Sequence, residues 1–238
     1  MGRAYANKKD SMAKTADTNA KIFSRYSREI YATAKSGGVE VEGNLALRSL
    51  IARAQKDQVP SHVIEKAMDK ARGGGGEDFA LARYEGFGPG NCMVIVDCLT
   101  DNPNRTFGDV RLCFSKTNCK IGAQGSVSHM FDHSAIFVFK DQDEEAVLDA
   151  LMSADVDVTD IENEAGEITV FAPNTEYFKA KQAMLDSFGE IDFEVDEIQF
   201  IPQNMTAISS EDIDMYNKFM EMLNNLEDVQ RIYHNADI

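Results

Sequence analysis

Lys21, Arg25, Arg28 and Lys35 recur at helical spacing. At 100° per residue, with Lys21 at zero, the four cations fall within about 40° of that direction, while Ile22, Phe23, Tyr26, Ile30 and Ala34 fall between about 100° and 220°. One face is apolar and the opposite face is a basic stripe. A row of like charge suits a polyanion, because each cation can neutralise a phosphate and release its counterion. Such contacts position a protein on nucleic acid without reading its sequence. Lys8, Lys9 and Lys14 precede the stripe in a polar arm, and Arg48 and Arg53 follow it on the next amphipathic segment. A charged helix face is also the ordinary solvated face of a helix. The charge distribution of the whole chain favours the phosphate role.

The 238-residue chain carries a net charge of -16. Its first 72 residues nevertheless hold 14 Lys/Arg against 8 Asp/Glu, residues 73–131 hold 5 against 6, and residues 132–238 hold 5 against 26. Such asymmetry bears on partners rather than on fold. The basic end seeks nucleic acid and the acidic end repels it, so the chain would approach DNA or RNA with its N-terminal region leading. The acidic part would face a basic protein instead.

Other residues invite chemistry and fail on closer reading. Cys92, Cys98, Cys113 and Cys119 repeat C-x5-C. Cys92 and Cys98 fall in one apparent strand, where six residues span roughly 20 Å, too far for two ligands of one zinc. Reduced thiols packed in a core are the expectation. Gly86-Phe87-Gly88-Pro89-Gly90 lacks the Gly-Lys-Ser/Thr of a phosphate loop and precedes its strand, so it reads as a tight turn. Asp155, Asp157 and Asp160 lack the glycine of a calcium loop. His62, His129, His133 and His234 are scattered, and no Ser or Cys sits in an activating motif. The expectation is a protein that is not an enzyme, with no metal and no cofactor. Arg105, in Asn102-Pro103-Asn104-Arg105-Thr106, falls in a first helical turn whose amides attract anions; it could hold a phosphate, or be a solvated residue beside a cap.

The elements that position these residues follow from periodicity and punctuation. Helices are expected over 18–36, ended by Gly37-Gly38, over 44–57, and from Pro60 onward. Gly73–Gly76 reads as a linker or hinge. A strand is expected over 92–99 and a helix from Asn102-Pro103 to about Lys116. Strands are expected over 127–131 and 135–140 about a turn at Asp132-His133-Ser134. The order strand 135–140, helix 143–152, strands 156–162 and 167–172, helix 175–188 and strand 193–201 is ferredoxin-like. A capping box of Ser209 with Asp212 opens a last helix, and a short strand, 229–233, would pair back with 92–99 and 127–131. The fold class is α+β in three domains. Residues 1–76 form a basic helical bundle with its linker, and 77–132 plus 204–238 a discontinuous α+β domain. Residues 133–203 form an acidic ferredoxin-like insertion.

Four runs in order resemble the YebC/PmpR family of probable transcriptional regulators. They are Tyr84-Glu85-Gly86-Phe87-Gly88-Pro89-Gly90, Leu99-Thr100-Asp101-Asn102-Pro103-Asn104-Arg105-Thr106, Gly125-Ser126-Val127-Ser128-His129-Met130-Phe131 and Asp228-Val229-Gln230-Arg231-Ile232-Tyr233-His234-Asn235-Ala236-Asp237. The opening Met1-Gly2-Arg3 with Ala6-Asn7 is similar to the YeeN-like branch. The resemblance implies a helical bundle followed by two α+β domains, the last inserted in the second. It also implies DNA binding and transcriptional regulation, and no catalytic residue. Mitochondrial relatives act as translational activators, and some bacterial members are linked to ribosomes, so ribosomal RNA is the alternative polyanion. Asn91 stands where many relatives have glycine, and Val39-Glu40-Val41-Glu42 replaces a stretch that often carries Asp-Pro.

No apolar run approaches the length that crosses a bilayer. The first residues lack the apolar core of a signal peptide and the position-6 hydroxyl of a myristoylation site. A soluble cytoplasmic protein is the expectation.

Overall fold

The computed structural model describes residues 16–74, 76 and 78–238. Three helices come first: α1 (Ala16–Gly37), α2 (Leu45–Lys56) and α3 (Ser61–Arg72). Ile30, Ala34, Leu47, Leu50, Ala54 and Ala67 close their core. Asn44 fixes the corner between α1 and α2. Its Oδ1 accepts from the Leu47 N–H at 3.1 Å, and its Nδ2 donates to the carbonyls of Thr33 and Gly38 at 3.2 and 2.9 Å. One buried side chain thus satisfies orphan groups of two helix ends. After α3 the chain needs left-handed backbone, with φ of 64° at Gly74 and 128° at Gly76, which glycine supplies at no steric cost.

β1 (Ala80–Phe87) and β2 (Met93–Thr100) form an antiparallel hairpin paired along all eight residues. The turn between them takes φ of 67° at Gly90 and 59° at Asn91. Asn is the side-chain-bearing residue that best tolerates this region, which accounts for its place there. α4 (Pro103–Lys116) and the short β3 (Lys120–Ile121) follow.

Next come β4 (Phe131–Lys140), α5 (Glu144–Ser153), β5 (Asp160–Glu164), β6 (Glu167–Pro173), α6 (Tyr177–Phe188) and β7 (Val195–Pro202). Their sheet has the order β5-β6-β4-β7, all antiparallel, which is the ferredoxin-like arrangement. Phe137, Phe139, Leu151, Ile168, Ala180 and Met184 form the layer between sheet and helices. The expected turn at 132–134 is not formed. β4 runs unbroken because Asp132, His133 and Ser134 pair with Ile201, Phe200 and Gln199 of β7, and the His133 ring stacks on Phe200 at 4.2 Å.

The chain ends in β8 (Thr206–Ala207), α7 (Ile213–Asn224), β9 (Val229–His234) and β10 (Ala236–Asp237). β9 pairs antiparallel with β2, giving the sheet order β3-β1-β2-β9. It does not pair with 127–131, because Val127 lies outside the strands and β4 belongs to the other sheet. The expected capping box is also different. Ser209 Oγ donates to the Asp212 carboxylate at 2.8 Å, and α7 starts after Asp212. α4 and α7 pack on one face of this sheet, with the rings of Phe114 and Phe219 edge-on at 4.9 Å.

The described residues form two compact units. One is Ser128–Asn204; the other is the chain up to Val127 together with Met205–Ile238. The helical bundle and the discontinuous sheet therefore share a unit. No described helix is long and apolar enough to cross a membrane.

Candidate nucleic-acid interface

The basic row of α1 faces the end of α7. Lys21 Nζ donates to Asn225 Oδ1 at 2.5 Å. Arg25 donates to the Asn224 side chain at 3.2 Å and to its carbonyl at 3.5 Å. Arg28 donates to Asp228 at 2.6 Å and to Glu227 at 2.9 Å. Three successive turns of one helix thus meet one five-residue segment, 224–228. The match has a physical cause: the last carbonyls of α7 lack intrahelical partners and carry the negative end of its dipole, and two carboxylates follow. Burial lowers the pKa of Arg25, which still keeps its charge. Lys35, further along α1, turns to the linker. It pairs with Asp78 at 2.6 Å and reaches the Tyr31 hydroxyl at 3.2 Å, and the Asp78 bond raises its pKa.

Asp228 is the hub of this contact. Its Oδ1 takes Arg28, and its Oδ2 takes Arg105 at 2.8 Å. The hydroxyls of Thr106 and Thr100 lie 2.7 and 3.1 Å from the same Oδ2. Burial alone would raise this carboxyl; the hydrogen bonds from Arg105, Thr106 and Arg28 outweigh it and hold the pKa at about 2. Arg105 also pairs with Asp101 at 2.7 Å, and its pKa is raised by Asp228 first and Asp101 second. Its position is set by the Asn102 cap, whose Oδ1 accepts the Arg105 N–H at 3.2 Å.

Beside the hub lies a cleft of about 560 Å³, lined by Arg28, Tyr31, Lys66, Lys70, Phe79, Arg105 and the carboxylates of Asp101, Asp109, Glu227 and Asp228. The Tyr31 and Phe79 rings meet edge-on at 5.7 Å, and Lys70 sits 5.1 Å from the Tyr31 ring centre.

The structure therefore brings together Lys21, Arg25, Arg28 and Arg105, all around 224–228. Arg48 and Arg53 sit on α2, Arg48 exposed and donating to the Glu42 carbonyl at 2.7 Å, Arg53 half-buried. Lys8, Lys9 and Lys14 lie outside the described residues. Lys66 and Lys70 escaped the sequence reading, although their i,i+4 spacing on α3 puts both on one helix face. Asp228 escaped it too, because a carboxylate near a chain end carries no sign of partners at residues 28, 100, 105 and 106.

The family-like runs prove to be joints of the fold. Glu85 is buried and its two carboxylate oxygens accept the N–H groups of Gly125 and Val127, each at 2.9 Å. Gly86 has no room for a side chain: a Cβ there would lie 2.4 Å from the Lys120 carbonyl and 2.7 Å from the Phe114 ring. The fully buried Asn235 accepts the Met93 N–H at 2.7 Å and donates to Thr206 at 2.9 Å, tying β2 to β8. His234 accepts the Ala236 N–H at 3.2 Å and meets the Tyr216 ring edge-on, so it serves packing.

The same organisation is met in known proteins. A family model for the TACO1/YebC protein N-terminal domain matches residues 3–74, and one for the TACO1/YebC second and third domain matches residues 79–236. A protein of Alcanivorax borkumensis named "Probable transcriptional regulatory protein" is 70% identical over 238 residues, with both chains covered in full. One of Marinomonas sp., with the same description, is 71% identical over 237 residues, again with both covered in full. A crystal structure of a conserved hypothetical protein, Aq1575 from Aquifex aeolicus, superposes with a TM-score of 0.76 at 29% identity, covering 94% of this chain and 92% of that one. With its bundle and its two sheet-bearing parts matched in order, and relatives similar along its whole length, the chain belongs to the TACO1/YebC family.

Proposed function

We propose that this chain is a cytoplasmic, non-enzymatic regulatory protein that binds nucleic acid through its N-terminal bundle and acts on transcription. The supporting observation is the collinear row of Lys21, Arg25 and Arg28. On three successive helical turns these cations present donors that here engage a row of oxygen acceptors, the geometry that successive phosphates also offer. Lys35, Arg48, Arg53 and Arg105 extend the contact set, with Lys8, Lys9 and Lys14 of the arm. Residues 128–204 carry 19 Asp/Glu against three Lys/Arg, so one unit holds the whole chain's net charge and would be kept off the polyanion. That part is assigned to a basic protein partner. The relatives' shared name supports transcription as the process. Burial pushes Cys92 and Cys98 up to about 12, which leaves them poor nucleophiles, and four free thiols fit a reducing compartment.

The test is recovery of bound nucleic acid from cells followed by sequencing. Enrichment of promoter fragments is expected. Enrichment of ribosomal RNA instead would replace transcription by a translational role on the same basic surface.

A further inference from the structure

The phosphate-binding row of α1 is already occupied, and its occupant is the chain itself. Lys21, Arg25 and Arg28 direct donors to Asn225, Asn224, Glu227 and Asp228. Arg28 keeps N–H groups in reserve, but the two carboxylates beside it offset its charge and repel a phosphate, so a phosphate gains the full charge of Arg28 only when they move away. Arg28 and Arg105 share one carboxylate through different oxygens, so Asp228 stays held by Arg105 when Arg28 is freed.

We propose that segment 224–228 is an internal competitor for nucleic acid: it occupies the α1 row in the closed protein, and a nucleic acid must displace it to bind. The proposal rests on the reading that the α1 row is the nucleic-acid surface. The oxygens of 224–228 stand in for phosphate oxygens: two belong to carboxylates, two to the side-chain amides of Asn224 and Asn225, and one to the helix-terminal carbonyl of Asn224. The attachment of segment 224–228 to α7 and β9 keeps it at high effective concentration. Bound and closed forms are then two states of one equilibrium, and removing the competitor raises affinity without adding any contact to the ligand. The edge of the segment is the part most easily released. Glu227 is exposed at 84% of its side chain, whereas Asp228 is exposed at 9% and held by two threonines.

The experiment compares four forms of the full-length chain on a mixed-sequence duplex DNA and on a structured RNA. They are the parent, an acceptor variant (Asn224→Ala, Asn225→Ala, Glu227→Gln), a row variant (Lys21→Gln, Arg25→Gln, Arg28→Gln), and the two combined. Asp228 is untouched, so the hub that holds the fold remains. The acceptor variant should bind more tightly than the parent by about tenfold, the row variant should bind more weakly, and the combined form should show no gain. An acceptor variant that binds no more tightly, while the row variant still loses binding, overturns the competitor and leaves the binding surface standing. A row variant that binds like the parent overturns the binding surface itself. Hydrogen exchange on the unmodified chain gives a second readout that needs no substitution. Saturating nucleic acid should speed exchange of the amides at 225–229, and unchanged or slower exchange there would also overturn the competitor.

Discussion

Arg28 and Asp228 are 200 residues apart in sequence, yet their side chains meet at 2.6 Å. The pair joins the first helix of the bundle to the loop before β9, and Arg105 completes it from α4. Bundle and sheet are thereby held by a carboxylate with two guanidinium partners and two hydroxyl neighbours. Asp228→Ala should cost about 2–3 kcal/mol, because it removes the acceptor shared by two guanidinium groups and two hydroxyls and leaves Arg28 with Glu227 and Arg105 with Asp101. Arg28→Ala should cost less, since Arg105 and the two threonines still satisfy the carboxylate. Urea unfolding of both variants measures the difference; equal costs would mean that Asp228 is not the hub.

The same carboxyl sets an acid dependence. Its pKa falls from 3.8 to about 2 on folding. A lowered carboxyl pKa stabilises the fold above the unfolded value, and that contribution disappears as pH falls through the folded value. The expected term is about 1–2 kcal/mol, fully present above pH ~5 and lost by pH ~2. The stability difference between the parent and Asp228→Asn, followed against pH, should therefore shrink between about pH 4 and 2. A difference that stays constant over that range would contradict the assignment.

Gly86 and Gly125 separate two reasons for glycine. At Gly86 an added methyl meets the Lys120 carbonyl and the Phe114 ring, and Gly86→Ala should cost about 3 kcal/mol through overpacking. At Gly125 nothing lies within 4 Å, but φ is 84°, so Gly125→Ala should cost only about 1 kcal/mol of backbone strain. Thermal melting ranks the two, and the reverse order would show that the turn and not the packing is critical.

Glu85→Gln should loosen one loop and little else. An amide can still accept one backbone N–H, but it turns a donor toward the other, so about 2 kcal/mol is lost at a buried site. Hydrogen exchange should quicken at Gly125 and Val127 while the β1–β2 amides stay protected. Uniform deprotection across the sheet would instead make Glu85 a global support.

Much of the fold was legible from local pattern. α1, α2 and α3 announce themselves by an apolar face and by Asn44, Pro60 and the glycine run, all of which act locally. The ferredoxin-like order was readable because most of its strands carry apolar residues; β5 is mostly acidic and starts at Asp160 and not at 156, since the apolar Val156 and Val158 that suggested the earlier start pack on the core ahead of the strand. β1 was missed because Arg83, Glu85 and Gly86 break its alternation. Their roles are tertiary: Arg83 pairs with Asp97 of β2 at 2.6 Å, Glu85 holds a loop and Gly86 makes room for α4. Asp132-His133-Ser134 imitated a turn because the partner that keeps them extended, β7, lies about 65 residues further on in the register. The basic row was legible from spacing alone. Its acceptors at 224–228 were not, since neither segment carries a mark of the other.

The measurement that bears most directly on the function is a salt titration of duplex DNA binding by the full chain and by the row variant Lys21→Gln, Arg25→Gln, Arg28→Gln. With about four to six phosphates neutralised, log K should fall against log[salt] with a slope of roughly -4 to -5, and loss of three cations should make the slope shallower by about 2 to 3. Equal slopes and equal affinities for parent and variant, with both folded, would contradict the α1 row as the nucleic-acid surface.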